Sequence, residues 1–264
     1  MPQHILVAHD LSREADVALR RAAALAKQIG ARLSVLHVMH EHADGDAEQQ
    51  ARGELQAQLD ATGLGEPRLW LRRGGVVEEL LTQATGLEAD LLVVGRHHRR
   101  QPQGFAGTTL ERILLACPMP LLLAVSPAAS YHRALAALDY SRCASRALQS
   151  AWQLLPAMAE LTALNIHEVA EVHGADDGEL ALQQELFDQL VADLRSNLAD
   201  NGARLNPSLR QGERNNCLEA AIAELQPQLL ALGGHSRGEV SNALLGSLTR
   251  QYLDQPPCDV LIAH

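Results

Sequence analysis

With 264 residues, 47% of them apolar, the chain has material for one large domain or two ordinary ones with a sizeable buried core. Its 22 Lys and Arg stand against 32 Asp and Glu, a formal net charge of −10, and no basic stripe offsets that excess, which argues against nucleic acid or an anionic membrane as a partner. Four scattered cysteines, Cys117, Cys143, Cys217 and Cys258, form no CxxC pair and no metal-type spacing, so reduced thiols are expected.

The opening run, "MPQHILVAHD", meets a charged residue after one short apolar stretch. No apolar run approaches the roughly 20 residues of a membrane span, and the expectation is an unexported, cytoplasmic protein. In chain order the apolar period predicts a strand at 4–9, a helix at 13–29, a strand at 32–38, a helix at 47–61 and a strand at 68–73. A helix at 76–87, a strand at 90–95, a helix at 108–116 and a strand at 120–125 complete the first half. "SPAASYH", 126–132, suits a linker. The second half repeats the alternation, with a longer second helix at about 177–200 and a weaker third strand around 203–210. Such alternation predicts parallel sheets with helices on both faces. In that architecture ligands sit beyond the carboxyl ends of the strands, where the strand order reverses.

The two halves are an internal repeat. "GTTLERILLACPMPLLLAV" (107–125) lies without a gap over "GSLTRQYLDQPPCDVLIAH" (246–264), an offset of 139 residues. "ILVAHDLS" (5–12) matches "ALAALDYS" (134–141), each a short strand, an Asp, one residue and a Ser suited to cap the next helix. "LSVLHV" (33–38) matches "LTALNI" (161–166). Two similar domains, 1–127 and 131–264, are therefore expected in tandem.

The stretch "LLALGGHSRGEVSNALLGSLTR" (229–250) leads from an apolar strand to Gly246-Ser247, which opens a helical pattern. Main-chain N–H groups at a helix start lack intrahelical partners and carry partial positive charge, so this pair is a candidate anion site. No GxxxxGK[ST] motif is present, hence no Walker lysine. The alternative is a glycine turn that serves the strand-to-helix corner alone.

In these residues the chain resembles the universal stress protein family, in its tandem form with two fused domains. The family pattern is Gly-x2-Gly-x9-Gly-Ser/Thr after the fourth strand, an Asp after the first, and a main-chain contact to adenine from the end of the second. The resemblance implies two Rossmann-like, doubly wound domains of strand order 3-2-1-4-5, packed as an intramolecular pseudo-dimer, with room for a homodimer. Their terminal strands, 120–125 and 259–264, are expected to pair. It implies binding of ATP or AMP in a stress-related regulatory role, exerted through protein partners rather than turnover, with slow ATP hydrolysis as the upper limit of catalysis.

Carried over by position, the second half supplies Gly233, Ser236 in place of the second glycine, Gly246 and Ser247, with Asp139 and Ile166 on the adenosine side. The first half supplies Gly95, Gly107 and Thr108, with Asp10 and Val38, but His98 replaces the second glycine and the loop is one residue short. Nucleotide is therefore expected in the second domain only. His9, His40, His42, His97 and His98 sit near strand ends that the implied sheet order brings together. Imidazoles in such a group suit Zn(II), Ni(II) or Cu(II), although solvated loop residues are the plainer reading. No G-x-S-x-G elbow accompanies Ser141, which suits a helix cap. A nucleotide-free interaction scaffold and a metal-binding regulator remain as alternatives.

Overall fold

Short runs such as "ILVA" and "LLVV" are apolar on every residue, and only a sheet covered on both faces can bury such strands completely. The computed structural model describes residues 1–96, 108–126, 130–168, 177–234 and 245–264, the side chains at 177 and 179 excepted. The chain divides into two units, Met1–Ser130 and Tyr131–His264.

The first unit runs β1 (His4–Ala8), α1 (Arg13–Ile29), β2 (Arg32–Met39), α2 (Gly45–Ala61), β3 (Arg68–Arg73), α3 (Val76–Gly86), β4 (Leu91–Gly95), α4 (Thr109–Ala116), β5 (Leu121–Ala124). Its strands are ordered β3-β2-β1-β4-β5, and the four pairings are parallel. The second unit runs β6 (Arg133–Leu138), α5 (Arg142–Gln153), β7 (Glu160–His167), α6 (Asp177–Ser196), β8 (Arg204–Gln211), α7 (Arg214–Leu225), β9 (Leu229–Gly233), α8 (Ser247–Asp254), β10 (Asp259–Ala263). Its order is β8-β7-β6-β9-β10, again parallel. Each unit thus has the order 3-2-1-4-5, and each first strand lies where the order reverses.

Small residues bring the first helix of each unit close to its sheet. Ala15, Ala18, Ala22 and Ala26 face inward on α1, as do Ala144, Ala147 and Ala151 on α5. Both helices start on a serine: Ser12 Oγ accepts from Ala15 N–H and Ser141 Oγ from Ala144 N–H, at 3.1 Å each. Ser141 is therefore a helix cap, as its position suggested.

Most boundaries fall within two residues of expectation, and three differences bear on the argument. β1 stops at Ala8, so His9 lies past the strand. The third strand of the second unit is not weak: β8 keeps register with β7 over eight positions. Its Pro207 is tolerated because β8 lies at the end of the unit's strand order, where a missing donor breaks no ladder on its outer side. α6 ends at Ser196 rather than near 200, where Asn201 ties the following turn to the main-chain oxygens of Trp152 and Leu155.

Candidate functional site

At the end of each first strand the chain makes the same turn. Leu11 and Tyr140 hold left-handed φ values of 64° and 63°, unusual for side chains of that size. The preceding aspartates close the turn: Asp10 Oδ1 accepts from Ser12 N–H at 3.1 Å, and Asp139 Oδ1 from Ser141 N–H at 3.0 Å. Asp10 is exposed, whereas Asp139 is half-buried.

The second strand of each unit faces the space beyond that turn. Gly212 N–H donates to His167 O at 3.1 Å, so His167 directs its main chain toward β8 and Ile166, one residue earlier, directs its own toward β6. β6 has ended at Leu138, and the main-chain groups of Ile166 therefore point past it. Val38 is placed likewise in the first unit, since His9 N–H donates to Leu36 O at 2.9 Å and Val38 follows two residues on.

The fourth strands end in Gly95 and Gly233, and the fold itself demands both glycines. A Cβ at Gly95 would stand 2.4 Å from Glu14 O, and one at Gly233 2.8 Å from Ala144 N. The strand end passes against the first turn of α1 or α5 with no room for a methyl group, whatever else binds nearby. Gly246 is different. Its φ is −57°, and among the described residues a Cβ there would meet nothing nearer than Thr249 Oγ1 at 3.8 Å.

The helices that follow diverge most. In the first unit Thr108 caps α4: its Oγ1 accepts from Glu111 N–H at 3.2 Å, while Glu111 Oε2 accepts from Thr108 N–H at 2.6 Å. This reciprocal box places a carboxylate of the chain itself on the helix start. In the second unit Gly246 is the cap residue, α8 begins at Ser247, and no side chain among the described residues caps it. The 139-residue repeat puts Arg250 where the first unit has Glu111. Thr249 Oγ1 donates to Gly233 O at 3.0 Å, which joins α8 to the end of β9.

These features enclose two unequal clefts. That of the second unit has a volume of about 410 Å³ and is lined by Asp139, Ile166, Gly233, Gly246 and Ser247 together with Asn165 and Arg214. That of the first unit has about 100 Å³; Asp10, Val38 and Gly95 line it, among mostly apolar neighbours. Small-molecule sites occupy roughly 300–1,000 Å³, so only the larger cleft is of that size. Arg214, at the start of α7, pairs with Glu168 past the end of β7 at 2.6 Å, on exposed ground where such a pair contributes little to stability.

Five of the six second-half candidates thus come together, and Ser236 lies outside the described residues. In the first half Asp10, Val38 and Gly95 share a cleft, Thr108 is spent on its helix, and Gly107 lies outside the described residues. Glu111 escaped the reading of the sequence, although Thr108-x-x-Glu111 is a legible capping signature. The cross-strand contacts of Asn165, whose Nδ2 donates to Leu138 O at 2.7 Å, and of His37, whose Nδ1 lies 2.7 Å from His9 O, had no such signal.

His9 does not suit a metal ligand. It is 3% exposed; Nδ1 accepts from Leu11 N–H at 3.1 Å and Nε2 lies 3.2 Å from Asp16 Oδ1. Burial holds its pKa below the ordinary 6.5, only partly offset by Asp16 and Asp10. His40 is exposed beyond β2, and His97 and His98 lie outside the described residues. Among the described residues no three His, Cys, Asp or Glu side chains are gathered to hold a metal, and no helix is long and apolar enough to cross a membrane.

Two parallel, doubly wound units in tandem, each with a cleft at its topological switch point, define a Rossmann-like α/β protein. The sequence pattern of the universal stress protein family matches residues 1–124 and again 130–264: the chain belongs to that family. A universal stress protein from Archaeoglobus fulgidus is similar over 99% of this chain and 98% of its own, with 18% identity and a TM-score of 0.72. A putative universal stress protein from Pseudomonas aeruginosa is similar over 99% and 93%, with 19% identity and a TM-score of 0.70. No curated protein matches the chain significantly.

Proposed function

We propose that the second unit binds ATP or AMP in its cleft and that the first unit does not, so that the chain is a regulatory module acting by binding, in the cytoplasm and through protein partners. The observation that carries this reading is that α8 starts without a side-chain cap among the described residues. A helix start left without a side-chain acceptor favours an anion through its free N–H groups and the helix dipole, and a phosphate supplies what Glu111 supplies to α4. Gly246 fits the same reading, because among the described residues nothing fills the space above it. Asp139 would meet the ribose or the base, and the main chain of Ile166 the adenine edge. Gly233 lends no support, since its packing against α5 accounts for it.

The test is calorimetric titration of ATP and AMP into the parent chain and two variants. A hydrogen bond to a charged oxygen is worth about 1.5–3 kcal/mol, so Ser247→Ala is expected to weaken ATP roughly ten-fold or more. Gly246→Val is expected to abolish binding, by placing a branched side chain where the phosphate must approach. A parent chain that releases no heat with either nucleotide and carries none after gentle purification would leave the scaffold reading in its place.

A further inference from the structure

Asn165, on β7, is 4% exposed and lines the second-unit cleft. Its Nδ2 donates to Leu138 O at 2.7 Å. A carbonyl oxygen only accepts, so the nitrogen end of this amide is fixed toward Leu138, and with it the direction of the oxygen end. Among the described residues nothing donates to Asn165 Oδ1. That oxygen is not one of the enclosed side-chain atoms left without a partner, so it is reached from the cleft that Asn165 lines, and the cleft is where a donor can come from.

The first unit shows that the tether has a role of its own. His37 Nδ1 lies 2.7 Å from His9 O, and His9 precedes Asp10 as Leu138 precedes Asp139. In both units the second strand therefore holds the carbonyl directly before the aspartate turn. His37 is not among the residues that line the first-unit cleft, so there the tether stands without a ligand-facing end.

We infer that Asn165 determines ligand specificity at the second-unit site: it holds the strand end that carries Asp139, and its Oδ1 accepts from a hydrogen-bond donor on the bound nucleoside. The inference rests on the nucleotide reading above. Ionised phosphate oxygens have no proton to give, so the donor is a group of the nucleoside, either a purine 6-amino group or a ribose hydroxyl.

Titration calorimetry on the full chain tests this with ATP, 2′-deoxy-ATP, 3′-deoxy-ATP and purine riboside triphosphate, which lacks the 6-amino group. Asp139 and the Ile166 main chain also face the nucleoside, so the readout is the change in each analogue's penalty relative to ATP: in Asn165→Leu the penalty of one analogue is expected to shrink about ten-fold, and its identity names the donor. Asn165→His offers Leu138 a ring N–H in the manner of His37 and displaces the amide oxygen; it is expected to shrink the same penalty, and it serves if Asn165→Leu melts early. Equal binding of ATP and all three analogues by the parent overturns the role of Asn165, as do penalties that are unchanged in both variants. A parent that binds none of the four instead overturns the nucleotide reading on which the role depends.

Discussion

A methyl group added at Gly233 would stand 2.8 Å from the main-chain nitrogen of Ala144 and 3.1 Å from Cys143, while among the described residues one added at Gly246 would meet only Thr249 Oγ1 at 3.8 Å. The two glycines belong to one sequence pattern yet answer to different demands, the first to the packing of α5 on β9 and the second to whatever approaches α8. Overpacking against main-chain atoms costs about 1–3 kcal/mol, whereas Gly to Ala at a helix cap with ordinary φ costs about 1 kcal/mol or less. Gly233→Ala is therefore expected to lower the melting temperature clearly and Gly246→Ala to change it little. Equal losses in a thermal melt would show that Gly246 also serves the fold, and the open space above it would then say nothing about a ligand.

At the scale of elements, α4 and α8 descend from one repeat and have opposite electrostatic endings. α4 carries its own anion in Glu111, and α8 begins on a bare glycine. An aspartate at the cap position would give α8 what α4 already has. Asp is a better cap than Gly by a few tenths of a kcal/mol, and a carboxylate beside a helix start adds about 0.3–1 kcal/mol. Gly246→Asp is thus expected to raise stability slightly while it removes nucleotide affinity, since its carboxylate takes the phosphate's place and repels it. Paired measurements of melting and ATP binding check this. A variant that gains stability and keeps its affinity would place the phosphate elsewhere.

For the whole molecule, the consequence of unequal clefts is stoichiometric. A cleft of about 410 Å³ with an open helix start stands in one unit, and one of about 100 Å³ with a self-capped helix in the other. Titration to saturation is expected to yield one nucleotide per chain of 264 residues. Two per chain would mean that the first unit opens to admit what its cleft now excludes. None would return the chain to the scaffold reading.

The repeat, the alternation of elements and the strand-Asp-x-Ser openings were legible in the residues alone. Each depends on local chemistry: the period of apolar side chains, the capping preference of serine, and the tolerance of glycine and proline at corners. The resemblance that those motifs carried supplied the strand order. Tertiary structure decided which glycine is demanded by packing, because the approach of α5 to β9 brings together residues 143–144 and 233, far apart in the chain. It decided that His9 is enclosed rather than presented, since burial depends on what α1 lays over it. It also decided that Asn165 reaches the carbonyl before Asp139, a contact between neighbouring strands that no single-strand pattern encodes. Glu111 lies between the two cases: its capping box is local and could have been read from Thr108-x-x-Glu111, but that its counterpart helix stands uncapped over a larger cleft is a property of the folded unit.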